Sequence, residues 1–319
     1  MTPSPGPLLY LKLVAVSVIW GGTFVAGRFL SVDMPPLLVA SLRFVLASLA
    51  LLLFLLAARI PFAVPTARQF LQLLVLGFFG IFFYNLCFFY GLHYVNASRA
   101  SLIVALNPAV IALVAFLVFK ERLSAPRMLG IAFCLVGAGL VIVSRDARVF
   151  QAASDAWLGD ALILGCVAGW VIYSLFSRNL SKALGPLHTV TYSIWLGTLM
   201  LCCATYAQLD IGFDALARIS LAQMLSLLYL GVFGSAIAYV WYYDGIRQIG
   251  ATRSGAFIAL NPLTAVLLGA LLLGEHLSVP MCGGGVLIVA GLYLCNRSAM
   301  GAAVRPIQAV VADPSSRST

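Results

Sequence analysis

The chain reads as an all-α integral membrane protein of ten transmembrane helices arranged as two inverted five-helix repeats, and three observations lead there. Of its 319 residues, 62% are hydrophobic and only 9% are charged, whereas soluble domains carry about 25% charged residues. Apolar runs that approach the length of a bilayer crossing recur along the whole sequence. Finally, "VALNP", ending at Pro108, returns as "IALNP", ending at Pro262, 154 residues later. Asn-Pro ordinarily marks a turn, yet each copy lies inside an apolar run.

The apolar runs fall at 8–29, 36–58, 69–92, 98–119, 126–143, 157–179, 186–208, 220–246, 251–273 and 279–296. Helix is the state expected for each, because lipid offers no partner to backbone N–H and C=O groups. A membrane barrel would need alternation of apolar and polar residues, which these runs lack. The first run resembles a signal peptide in length but lacks a small-residue cleavage site. It also has a twin: Trp20, Arg28 and Pro36 recur at an offset of 150 as Trp170, Arg178 and Pro186. A segment with a later counterpart is expected to be retained. The second series of matches runs at offset 154, with 11 of 26 positions identical between 105–130 and 259–284. The change of offset places a four-residue insertion between the seventh and eighth helices.

The repeats are therefore 8–143 and 157–296, followed by a cytoplasmic tail, 297–319, expected to be disordered. Five helices per copy is an odd number, so two copies in series must cross the bilayer in opposite senses. Charge agrees with this. With a cytoplasmic N-terminus, 13 Lys and Arg residues fall inside, 5 fall outside, and Arg43 lies within the second helix, the bias that sets membrane orientation. The net charge of +9 is spread singly at segment ends and forms no patch for nucleic acid. The seven cysteines all sit in apolar runs without histidine at ligand spacing, so neither a metal nor a cofactor is expected. No nucleophile–base set, carboxylate pair or nucleotide loop appears, and no catalytic residue is assigned.

Candidate functional residues follow from what lipid makes costly. Pro108 deprives the Val104 carbonyl of its helical partner, and Pro262 does the same to Ile258. Each Asn-Pro pair marks either a helix kink around a cavity or a packing kink whose freed carbonyl the Asn side chain satisfies. Trp170, Tyr173, Ser174 and Ser177 form one stripe of the sixth helix. Ser17, Trp20 and Phe24 form a smaller one in the first. Such stripes suit either a cavity that grips an apolar body with a polar head or hydrogen bonding between helices. Tyr84, Tyr239 and Tyr243 lie in the aromatic third and eighth helices. Arg43 either meets a substrate carboxylate or pairs with backbone carbonyls. Substrate contact is thus expected at Trp20, Arg43, Tyr84, Asn107, Trp170, Tyr173, Tyr239, Tyr243 and Asn261. Glu121 and Glu275, in "ERLSAP" and "EHLSVP", are expected to bond N–H groups of the next helix. Asp244 is expected to pair with Arg247. Glycines of the fifth and tenth helices read as close packing.

The "WGGTFVAGRF" opening, "ASLRF" around Arg43, the twin "ALNP" sites and the "ExLSxP" turns resemble the EamA repeats of the drug/metabolite transporter superfamily. Within it the chain is similar to the YddG-like branch of aromatic amino-acid exporters. The resemblance spans 8–296. It implies ten helices in two inverted repeats, alternating access, and export of amino acids and related metabolites across the bacterial inner membrane, with a small-molecule substrate and the lipid bilayer as partners. Many members carry Glu-Pro where this chain has Asn107-Pro108 and Asn261-Pro262, which removes two carboxylates from the centre. A facilitative uniporter is therefore expected. The alternatives are a proton-coupled exporter of drugs or other small metabolites and, from a different class, a non-transporting scaffold or receptor. The topology is directly testable. Single cysteines placed at the two termini of a cysteine-depleted chain should both be shielded from an impermeant maleimide in intact cells; labelling of only one would exclude an even number of crossings.

Overall fold

The computed structural model describes residues 7–120, 124–143, 155–208, 219–249, 254, 257–258 and 260–303. The described secondary structure is helical throughout. In chain order it comprises α1 (Pro7–Asp33), α2 (Pro36–Ala57), α3 (Ala67–Tyr94), α4 (Ala97–Val118), α5 (Ala125–Val143), α6 (Asp155–Leu184), α7 (Pro186–Ala207), α8 (221–249), α9 (Asn261–Leu273) and α10 (Val279–Ala303). Eight of these are long and apolar enough to cross a membrane, while 261–273 and 279–295 are shorter apolar helices. Helix α9 starts at the Asn-Pro pair rather than at 251, most of the preceding turn lying outside the described residues. Helix α10 continues to Ala303, past the expected end at 296, and residues 304–319 are outside the described set.

Local chemistry sets the boundaries. Pro36 and Pro186 open α2 and α7 in their first turns, where a missing N–H costs nothing. Thr66 with Gln69 and Ser220 with Gln223 form reciprocal capping boxes at α3 and α8, satisfying two N–H groups each. Ser278 accepts from the Met281 N–H at 3.4 Å, the N-cap expected of the "LSVP" turn. Left-handed residues end α4 and α9, Lys120 (φ 53°) and Gly274 (φ 63°). Glycine takes this conformation without the Cβ clash that lysine must accept.

Two features were not expected from the sequence. Gly77–Phe83 of α3 and Tyr229–Ile237 of α8 are π-helical. The wider turn lets the neighbouring helices come close at paired glycines. A Cβ on Gly77 would lie 3.0 Å from the Ser193 carbonyl and the Gly197 N on α7. A Cβ on Gly231 would lie 2.8 Å from the Arg43 carbonyl and 3.3 Å from the Ala47 N on α2. Gly231 stands 154 residues after Gly77, and Ser193 and Gly197 stand 150 after Arg43 and Ala47, so these are one contact made twice.

The same exchange relates the other seams. Helix α1 packs on α8 and α9, and α6 packs on α3 and α4. Helices α2 and α7 pack on each other, as do α5 and α10. Ser48 and Thr198, each other's counterparts, meet at 2.9 Å, and Ser41 meets Thr205 at 2.6 Å. On α5 and α10, Gly130 lies against Gly291 and Gly137 against Gly284. Position falls along one helix as it rises along the other, so the equivalent helices run antiparallel. Exchanging the halves maps the first glycine contact onto the second, as a two-fold axis through the crossing requires.

The crossing is tight enough to test. A Cβ on Gly137 would sit 2.6 Å from the Gly284 carbonyl oxygen, whereas one on Gly139 meets nothing within 4 Å. Gly137→Ala should lower the melting temperature in detergent, at a cost of about 1–3 kcal/mol, and Gly139→Ala should leave it unchanged. Equal melting of the two variants would rule out this crossing.

Candidate functional site

Arg43 is the chemical centre of the bundle. It is the eighth of the 22 residues of α2 and is only 8% exposed. Its Nε donates to Ser235 Oγ at 3.2 Å and its Nη1 to Asn85 Oδ1 at 3.4 Å. The guanidinium carbon stands 5.1 Å from the Phe44 ring centroid, 5.9 Å from Phe89 and 6.0 Å from Phe88. An arginine at the middle of a membrane helix costs about 2.5–3.5 kcal/mol on insertion scales. Each face-on aromatic contact returns about 0.5–2 kcal/mol. Asn85 and Ser235 also serve the backbone. Asn85 Nδ2 donates to the Ile81 carbonyl at 2.7 Å, and Ser235 Oγ donates to the Leu230 carbonyl at 3.0 Å. Both carbonyls belong to the π segments, so the irregular turns that admit α2 and α7 also orient the groups that hold Arg43.

Two aromatic groups pair the tryptophan of one half with a tyrosine of the other. The Trp20 ring stands edge-on to Tyr239 at 5.6 Å and to Tyr242 at 5.3 Å. Trp170 stacks on Tyr173 at 5.4 Å and meets Tyr84 at 5.9 Å. Tyr84 in turn stacks on Phe88 at 6.0 Å, which joins it to the rings around Arg43. Each tryptophan thus reaches across to the third helix of the opposite half. Trp20 Nε1 donates to the π-segment carbonyl of Gly234 at 2.9 Å; the Trp170 indole makes no hydrogen bond among the described residues. Tyr173 is 6% exposed, its hydroxyl 3.3 Å from Ser193 Oγ. It lies so close to α3 that a Cβ on Gly80 would fall 2.1 Å from its ring.

The structure therefore brings together six of the expected residues: Trp20, Arg43, Tyr84, Trp170, Tyr173 and Tyr239. The two asparagines behave differently from these and from each other. With its amide oriented to donate, Asn261 reaches the carbonyls of Ser17 and Ile258, both at 3.3 Å. Ile258 is the carbonyl that Pro262 leaves without a partner, so this asparagine repairs the kink and ties α9 to α1. Thr264 Oγ1 reinforces the seam, donating to Ser17 O at 3.2 Å and to Asn261 O at 2.9 Å. In the first half α4 is interrupted at Ala105 and Leu106, ahead of Asn107 and Pro108. There Val167 and Val110 stand where the second half uses Ser17 and Thr264, and the Asn107 Oδ1 is buried without a hydrogen bond. The side chain of Tyr243 lies outside the described residues.

Asn85, Ser235, Phe88, Phe89 and Tyr242 were not singled out from the sequence. Asn85 was legible as a polar residue inside an apolar run. Its relation to Arg43 depends on the π turn and is not.

The acids are engaged elsewhere. Asp244 pairs with Lys12 of α1 at 3.4 Å and accepts from Gln248 at 3.1 Å. The expected pairing with Arg247 falls on a side chain outside the described residues; α1 packs on this end of α8 and brings Lys12 within reach as well. Asp160, 3% exposed, holds Arg99 through two contacts of 2.7 Å, and Arg99 also donates to the Ile142 carbonyl at 2.6 Å. Glu275 accepts from the N–H groups of Ala97 at 2.7 Å and Ser98 at 3.0 Å, and from the Ser98 hydroxyl. It therefore caps α4 in the opposite half rather than the following α10. Helix α9 lies against α4, whose first-turn N–H groups have no partner within their own helix. Glu121 lies outside the described residues.

The sequence model of the EamA-like transporter family matches residues 8–143 and 157–297. An uncharacterised transporter of Bacillus subtilis, YyaM, is 27% identical over 289 residues, covering 90% of this chain and 93% of its own. A probable terminal-alkyne amino-acid exporter of Streptantibioticus cattleyicolor is 28% identical over 294 residues, with 91% and 93% covered. A probable amino-acid metabolite efflux pump of Salmonella typhimurium is 26% identical over 296 residues, with 89% and 93% covered. One chain of known crystal structure superposes with a TM-score of 0.64 at 19% identity, over 93% of this chain and 99% of its own, a likeness of fold alone.

The contrast between the asparagines is measurable. Asn261→Ala should destabilise the protein by about 0.6–1.7 kcal/mol, the range for hydrogen bonds between membrane helices. Asn107→Ala, which removes an oxygen already without a partner, should be neutral or stabilising in the same thermal melt. Greater loss from Asn107→Ala would contradict the assignment.

Proposed function

The chain belongs to the EamA-like transporter family, and from that premise we propose that it exports amino acids with aromatic or other apolar side chains by alternating access. The reading rests chiefly on one observation: the tryptophan of each half meets a tyrosine of the other half, and the Trp170–Tyr84 group joins through Phe88 to the rings around a buried arginine. Aromatic walls bind an apolar side chain, and a small number of polar groups fix its orientation. Two relatives named for amino-acid and metabolite export support the substrate class. The two repeats, 8–143 and 157–296, rock against each other about the α2/α7 and α5/α10 seams, where each helix meets its own counterpart, and the site opens to one face at a time. The setting we propose is the bacterial inner membrane, with both termini cytoplasmic.

We further propose that transport is facilitative. Ion-driven carriers keep a carboxylate in the membrane interior whose charge follows the cycle. Among the described residues, Asp160, Asp244 and Glu275 are bound to Arg99, Lys12 and the start of α4, and Asp33 is exposed at the end of α1.

Counterflow of radiolabelled phenylalanine in proteoliposomes tests the reading. Flux should occur without any ion gradient, and an imposed pH gradient should not drive accumulation above equal concentration. Trp170→Ala and Tyr239→Ala should each lower flux about tenfold through lost ring contacts. Wild-type flux in both tryptophan and tyrosine variants would disprove the site. Uphill accumulation abolished by Asp244→Asn would make the protein a proton-coupled exporter instead.

A further inference from the structure

Arg43 differs from Arg99, an arginine paired within the bundle, in one respect. Arg99 faces a carboxylate through two contacts of 2.7 Å, the length of charge-assisted hydrogen bonds. Arg43 uses two donors on neutral oxygens at 3.2 and 3.4 Å. Its other guanidinium N–H groups make no hydrogen bond among the described residues, although 8% of the residue remains accessible. No described acid contacts it. Three ring faces stabilise the cation, but none neutralises it. The second half offers no balancing group either, because the counterpart of Arg43 is Ser193.

The surroundings define what would complete this site. A guanidinium presents parallel N–H donors that match the two oxygens of a carboxylate. The rings against the guanidinium are Phe44, Phe88 and Phe89, with Tyr84 stacked on Phe88, so the body joined to that carboxylate is apolar. An ammonium group is less well provided for, since the described acids are held by other partners or exposed at a helix end. An amino acid would bring a positive charge beside Arg43 with no acid among the described residues placed to receive it; a monocarboxylate would bring only the charge the site lacks.

We propose that Arg43 is the receptor for a single substrate carboxylate, and that the protein binds and carries apolar and aromatic monocarboxylate anions without an amino group, more tightly than the corresponding amino acids. The proposal rests on reading the chain as an exporter of such amino acids and extends its substrate class. One arginine without a counterpart implies one carboxylate per cycle. Asn85 and Ser235 are positioning residues, which hold the guanidinium plane between the π segments.

Three ligands with one phenyl group separate the contributions: 3-phenylpropanoate has only the carboxylate, phenylalanine has both charges, and phenylalaninamide has only the ammonium. Calorimetric titration of the full chain in lipid nanodiscs should rank them in that order, with 3-phenylpropanoate about tenfold tighter than phenylalanine and phenylalaninamide not binding. Counterflow should then move 2-oxo-3-phenylpropanoate. Asn85→Asp sets a carboxylate beside the guanidinium and should weaken 3-phenylpropanoate about tenfold or more, while Arg43→Lys should bind it better than Arg43→Gln. Phenylalaninamide binding as well as phenylalanine would overturn the proposal. So would phenylalanine counterflow without 3-phenylpropanoate binding, which would leave the exporter reading intact. Binding of 3-phenylpropanoate without movement of any amino acid would sustain the carboxylate site and overturn the amino-acid reading. Binding of none of the three would reject both.

Discussion

In hydrocarbon a peptide group has no water to bond, and that constraint governs where this protein spends its polar side chains. Several departures from regular helix are answered by a side-chain donor or acceptor from the same or a neighbouring segment. The π turn of α8 is met by Trp20 at Gly234 and by Ser235 at Leu230. The π turn of α3 is met by Asn85 at Ile81. The Asn-Pro kink before α9 is met by Asn261, and the open start of α4 by Glu275. These bonds also join the halves: Trp20, Asn261 and Glu275 each reach from one repeat into the other. Satisfying the backbone and assembling the bundle are therefore the same set of contacts.

A symmetric frame carries an asymmetric centre. The α2/α7 and α5/α10 seams each place counterpart against counterpart, and paired glycines let α2 and α7 approach the π turns in the same way. Within that frame the side chains diverge. Arg43 faces the position of Ser193, Asn85 that of Tyr239, and Tyr84 that of Ala238. The repeat supplies equivalent backbones on both sides of the axis, and substitution on one side supplies the charge.

Several other charges close seams between helices. Lys12 with Asp244 joins α1 to α8, and Arg99 with Asp160 joins α4 to α6. Arg28 donates to the carbonyls of Leu92 and His93 and so joins α1 to the end of α3. Partly buried pairs such as Arg99 with Asp160 are costly to break singly, because a lone charge stays behind. These contacts hold particular helix ends together.

Composition and periodicity alone determined that the chain is helical and membrane-embedded, since no soluble core hides so much apolar surface. The repeated "ALNP" and "ExLSxP" segments revealed the two halves and marked Pro108 and Pro262 as breaks. Trp20, Arg43, Tyr84, Trp170, Tyr173 and Tyr239 were legible because polar or amphipathic groups in lipid are expensive. Tertiary structure decided what those residues do. Which asparagine repairs a kink depends on whether Ser17 or Val167 stands opposite. Which cation meets Asp244 depends on α1 lying against α8, and which helix Glu275 caps depends on α9 lying against α4. The π turns were invisible because glycine spacing alone does not distinguish them from close packing. They form where α2 and α7 press against α3 and α8, and a pressure between helices is not written in either helix by itself.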